Sequence, residues 1–178
     1  MKKIRIETLG CRLNQIESEA CAHYFLESGF EVLMGGVSAK SEEDQNTVLT
    51  IINTCTVTQK AEQKARRIIR LVLKKYQNAA CLVTGCYAQL SHDELLKMDP
   101  RIIVLGGQIK SRLTKVPEVL NSFIKEKGWD ALKFASFMNQ KITSAPQEKP
   151  GFPEESFKLA GTSFLAHSRA SLKIQDGC

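Results

Sequence analysis

Ile4, Ile6 and Thr8 alternate with charged neighbours over residues 3–9, the period of a half-buried strand. Leu13, Ile16, Ala20 and Tyr24 then recur at helical spacing and predict a helix over 13–28. Residues 30–34 read as a short second strand, and the polar run 35–47 reads as a loop. The stretch 48–53 is the near-continuous apolar kind that a parallel sheet buries on both faces. A helix over 57–76 and a strand over 80–84 follow. Ser91 with Glu94 three residues on has the form of a capping box opening a short helix. Residues 101–105 predict a further strand, and Leu113, Val116, Leu120 and Phe123 line a helix after Gly106-Gly107. Strands that alternate with helices in this way predict an α/β fold: a doubly wound parallel sheet of the Rossmann or flavodoxin kind with about five strands.

The periodic signal weakens after about Gly128, and Pro146, Pro150 and Pro153 fall within eight residues beside Gly151. Residues 128–167 are therefore expected to be a linker that follows a first domain of 1–127. Ala170, Leu172 and Ile174 alternate with polar residues and predict a new strand leading into Gly177 and Cys178. A lone strand is not a finished domain, so 168–178 is expected to be the start of a second, truncated one.

Three of the six cysteines change the picture. Cys11, Cys55 and Cys86 each follow a predicted strand and precede a predicted helix, which places all three at the carboxyl edge of the sheet, where ligands of open α/β sheets collect. Gly10 and Gly85 stand directly before two of them and let the backbone turn closely around a bulky group. Spacing this wide has no local signature, and taken alone it leaves core packing as the commoner role for a cysteine. Cys21 and Cys81 are read as packing residues. His23, His92 and His167 have no metal-ligand spacing, and Asn14 and Asn53 are expected to cap backbone groups near the cysteine loops.

The 178 residues are 43% hydrophobic and 25% charged, which is the composition of a globular chain. No apolar run approaches the ~20 residues of a membrane span, and Arg5 and Glu7 interrupt any secretory signal. A cytoplasmic protein is expected, with no membrane partner and with thiols used for metal binding, catalysis or packing in place of disulfides. The net charge of +6 is unevenly placed. Lys60, Lys64, Arg66, Arg67, Arg70, Lys74 and Lys75 face a single acid, Glu62, along the second long helix. Ala61, Ala65, Ile68, Ile69 and Val72 form its apolar face, with Lys60, Lys64, Arg67 and Lys74 opposite.

TLGCRLNQIESE at 8–19, NTCTVTQKAEQKARRIIR at 53–70 and VTGCYAQ at 83–89 together resemble the N-terminal domain of the radical S-adenosylmethionine methylthiotransferases. That resemblance implies that Cys11, Cys55 and Cys86 bind an auxiliary 4Fe–4S cluster whose open iron handles incoming sulfur. SRASLKIQDGC at 168–178 resembles the entry to the family's radical domain, with Cys178 as the first cysteine of CxxxCxxC and so the first ligand of a second 4Fe–4S cluster. The implied reaction inserts a methylthio group at an unactivated C–H carbon, with S-adenosylmethionine supplying both the radical and the methyl group. No residue of the chain is assigned as a catalytic acid, base or nucleophile. The later cysteines of CxxxCxxC, the rest of the radical domain and the RNA-binding domain are missing, so this chain alone is expected to be inactive. Implied partners are tRNA and a sulfur donor. Asn14, Glu17 and VTGCYAQ look most like the branch that modifies threonylcarbamoyladenosine beside the tRNA anticodon, while sister branches act on isopentenyladenosine or a ribosomal protein. A zinc module built on the three thiols and a metal-free domain docking RNA through the basic helix stand as alternatives.

Overall fold

A computed structural model describes residues 1–55 and 58–144, with side chains described up to 142. The strand expected at 170–174 and Cys178 lie outside the described residues. Five strands, β1 (Lys3–Thr8), β2 (Glu31–Met34), β3 (Thr47–Thr54), β4 (Ala80–Gly85) and β5 (Ile102–Gly106), form one sheet in the order β2-β1-β3-β4-β5. Every pairing is parallel. The helices are α1 (Arg12–Glu27), α2 (Gln59–Lys75), α3 (Cys86–Leu90), α4 (His92–Met98), α5 (Val116–Lys127) and α6 (Ala131–Ser144), with a 3₁₀ segment at Gly107–Lys115. Among the described residues no helix is long and apolar enough to cross a membrane.

The alternation of side chains along each strand sorts the core into two layers. Ile4, Ile6, Leu49, Ile51, Leu82, Ile103 and Leu105 meet α1, α5 and α6 on one face. Ile52, Cys81, Val83, Ile102 and Val104 meet α2, α3 and α4 on the other. β3 and β4 are buried at every position, as a near-continuous apolar run demands of a central parallel strand. β1 is one-sided. Its charged positions face the margin of the second layer, with Arg5 stacked on the buried Tyr76 at 4.9 Å and the buried Glu7 accepting the Val37 N–H at 2.8 Å.

Three expectations are corrected. The buried face of α1 includes Asn14, Glu17, Ser18, Cys21, Ala22 and Phe25, while Leu13, Ile16 and Tyr24 are only half-buried. The inward face is partly polar because the first turns of α1 pack on hydrogen-bonding groups at the sheet edge. The Ser91–Glu94 capping box does not form: Ser91 makes no side-chain cap bond, and Glu94 pairs instead with Arg66 on α2. Part of the expected linker is helix α6, whose Phe134, Ala135 and Met138 join the core. Its Asn139 accepts the Val104 N–H at 3.2 Å and donates to the Ile102 carbonyl at 2.8 Å, which covers the outer edge of β5.

Opposite the cysteine edge, Arg101 ties β5 to the end of α2. Its guanidinium donates to the carbonyls of Leu73, Tyr76 and Gln77 and to both oxygens of Asp99. Burial works to raise the Asp99 pKa, but the hydrogen bonds from the Arg101 side chain and backbone outweigh it and hold the carboxyl below its ordinary value. A depressed folded-state pKa stabilises the fold above the unfolded value and is lost as pH falls through the folded one. Arg101→Ala is expected to lower unfolding stability by about 2 kcal/mol in urea titrations. The native chain should also lose more stability than Asp99→Asn between roughly pH 5 and pH 3; parallel pH profiles would refute the assignment.

Candidate functional site

The register of the sheet aligns three strand ends. Thr8 lies opposite Asn53, Asn53 opposite Thr84, and Thr84 opposite Leu105. Cys11 follows Thr8 by three residues, Cys55 follows Asn53 by two and Cys86 follows Thr84 by two, so all three thiols emerge at the carboxyl edge. In this order the connections from β1 and β3 diverge to opposite faces, and the crevice between those two strands is the usual ligand position of such sheets. Cys11 and Cys86 are exposed and Cys55 is half-buried.

Two glycines bring the three segments together. Gly10 has φ +148°, and a Cβ there would stand 2.7 Å from the Cβ of Cys55. Gly85 has φ +94°, and a Cβ there would overlap the Thr54 carbonyl oxygen. Both positions therefore require glycine, for backbone conformation and for room.

Each thiol also precedes a helix. Cys11 is the N-cap of α1, Cys86 opens α3, and Cys55 lies three residues before Thr58, whose side chain accepts the Ala61 N–H at 3.2 Å to cap α2.

A polar layer lies directly beneath. Asn14 donates to the Thr54 carbonyl at 3.0 Å, while Asn53 donates to the Asn14 carbonyl at 2.9 Å and to the Ser18 hydroxyl at 3.1 Å. The Cys11 thiol is 3.5 Å from Asn14 Oδ1. Thr54 donates its hydroxyl to the Thr84 carbonyl. Asn53 Oδ1 and Thr84 Oγ1 are buried with no partner among the described residues. Asn14 and Asn53 thus tie backbone groups together near the cysteine loops, as expected from their type.

Two features were not visible in the sequence. Lys110, from the 3₁₀ segment, forms a buried ion pair with Glu17 of α1. Arg66, which the charge count placed in the basic stretch, is committed internally. It donates to the Tyr87 hydroxyl at 2.9 Å and pairs with Glu62 and Glu94, locking α2 to the helices after Cys86. Glu62 is a local i,i+4 partner of Arg66, but Tyr87 and Glu94 lie 21 and 28 positions from it and Glu17 lies 93 from Lys110, beyond any local pattern.

Cys21 and Cys81 are buried, as expected for packing residues, and burial pushes both thiols up to about 12. They stay protonated at neutral pH and are poor metal ligands. Among the described residues no three His, Cys, Asp or Glu side chains gather closely enough to enclose a metal ion, the three edge cysteines included. What the fold provides is a common edge, exposed sulfurs and close-turning glycines. In its chemistry, three thiols at one edge, that donor set is the kind that iron–sulfur clusters take.

The family model described as uncharacterized protein family UPF0004 matches residues 3–107. The chain is 38% identical to the threonylcarbamoyladenosine tRNA methylthiotransferase MtaB of Treponema pallidum, over all of this chain and 44% of that protein. It is 34% identical to the protein of the same name from Thermotoga maritima, again over the whole chain and 34% of the relative. The tRNA-2-methylthio-N(6)-dimethylallyladenosine synthase of Akkermansia muciniphila is 30% identical over 76% of this chain and 29% of its own length. The chain thus spans less than half the length of these relatives.

Replacing Lys110 by Met should remove the cation that balances the buried Glu17 carboxylate and cost about 3 kcal/mol, with most of the loss recovered in the double variant Glu17→Gln/Lys110→Met. Chemical denaturation checks both; a double variant no more stable than the single one would show that the pair is not coupled. Gly85→Ala should destabilise by about 3 kcal/mol through strain and overlap with Thr54. A loss below about 1 kcal/mol would contradict the close approach.

Proposed function

Since the chain belongs to the methylthiotransferase family and matches its N-terminal UPF0004 domain, we propose that it is the sulfur-handling domain of a tRNA methylthiotransferase, with Cys11, Cys55 and Cys86 holding a 4Fe–4S cluster. The modified nucleoside in this reading is threonylcarbamoyladenosine beside the anticodon, which the names of the Treponema and Thermotoga relatives support. The observation that carries the reading is the placement of three strand-end cysteines along one sheet edge while Cys21 and Cys81 are buried away from it. A cluster bound by three protein thiolates keeps one iron open to carry the sulfur that is transferred.

The chain's own residues then have defined tasks. Cys11, Cys55 and Cys86 would supply the sulfur ligands. Asn14, beside the Cys11 sulfur, holds α1 to the end of β3 and so sets the Cys11–Cys55 separation. Arg66 and Tyr87 perform the corresponding task between α2 and the Cys86 segment. Cys178 in this reading begins the CxxxCxxC motif of the cluster that cleaves S-adenosylmethionine.

Anaerobic reconstitution followed by iron and acid-labile sulfide analysis tests the assignment. About four irons and four sulfides per chain are expected, falling by more than half in each of Cys11→Ser, Cys55→Ser and Cys86→Ser and unchanged in Cys21→Ala. Stoichiometric zinc, or iron retained in all three serine variants, would overturn it.

A further inference from the structure

Helix α2 has charges that the fold does not use. Lys60, Lys64, Arg67, Arg70 and Lys74 are all exposed, and at 100° per residue they fall within about a third of the helix circumference, opposite the buried Ala65, Ile69 and Val72. None of the five appears in an ion pair among the described residues; burial raises the Glu7 pKa, and the charge of Lys64 only partly opposes that rise. Glu62, the acid on the same helix, is engaged by Arg66. The row from Lys60 to Lys74 is about 21 Å long, and α2 begins four residues after Cys55, so it runs away from the cysteine edge.

We propose that this row is a docking surface for the phosphate backbone of the RNA substrate, guiding the strand toward the cysteine edge. The proposal rests on the reading above for the identity of the RNA as tRNA. Charge complementarity identifies the occupant: a row of five cations about 21 Å long can follow several successive backbone phosphates of a strand. A membrane surface would require apolar residues flanking the charges. The exposed large apolar residues, Met1, Leu26, Leu90 and Leu132 among those described, are all off α2, whose own apolar face is packed on the sheet. A protein partner would need an aromatic or aliphatic anchor, and the row contains none.

The test uses the 178-residue chain and a fluorescein-labelled tRNA anticodon stem–loop, with affinity read by anisotropy between 50 and 200 mM salt. The variant Lys60→Ala/Lys64→Ala/Arg67→Ala is expected to bind about tenfold more weakly or worse, with the slope of log K against log salt reduced by about 2. A charge-matched control at the exposed Lys40, Lys115 and Lys125, each changed to Ala, should lose less than about twofold. Both variants should keep the native thermal midpoint to within a few degrees, since the replaced side chains are exposed and alanine is a good helix former. Unchanged RNA affinity in the first variant, equal loss in the control, or tighter binding of polyglutamate or phosphatidylserine vesicles than of RNA would overturn the proposal. Iron content is measured on the same samples. Row-dependent RNA binding by a chain that takes up no iron would sink the cluster reading alone, and an iron-replete chain whose RNA binding ignores the row would sink the docking surface alone.

Discussion

The geometry of the cysteine edge depends on the reciprocal amide bonding of Asn14 and Asn53. Each side chain donates to a backbone carbonyl on the other's segment, Asn14 to Thr54 and Asn53 to Asn14 itself. Both amides are buried, at 5% and 2% exposure, so either one left unpaired would cost the desolvation of a polar group. This exchange joins the first turn of α1, which follows Cys11, to the end of β3, which precedes Cys55. A purely apolar contact there could slide, whereas two directional bonds set the distance between the segments. The Glu17–Lys110 pair performs the same task one turn further along α1, against the segment that follows β5.

The fold separates its five described cysteines by environment. Two lie in the apolar layers, where burial keeps the thiols protonated and inert. Three lie at strand ends, partly or fully exposed, with Cys11 and Cys86 at the starts of helices. The same residue type is thus packing material in the sheet interior and a candidate anionic ligand at its edge. The charges of α2 divide similarly: Arg66 is spent on internal bonds that secure Tyr87, while the outward cations remain for solvent or a polyanion.

Much of this was legible in the sequence. The central strands and their parallel pairing follow from apolar runs alternating with helical segments, and the strand-end position of the three cysteines follows from that alternation. The inward face of α1 was not legible, because apolar spacing points to Leu13 and Ile16 while the structure buries Asn14, Glu17 and Ser18. Apolar periodicity fails where a helix packs on a polar sheet edge, which is also where a functional site lies. Helix α6 was missed because prolines and glycine downstream of it weaken the helical signal around it, and Phe134 and Ala135 give little periodicity of their own. Lys110 read as one surface lysine among many, since only the folded chain brings Glu17 to it.

The central claim is that three strand-end thiolates hold a cluster with one iron open, and a crystal structure of the anaerobically reconstituted chain tests it most directly. The account predicts one 4Fe–4S cluster at the carboxyl edge of β1, β3 and β4, bonded to the sulfurs of Cys11, Cys55 and Cys86, with its fourth iron bound to no protein atom. A single zinc ion at that edge, or a cluster with a fourth protein ligand, would contradict it.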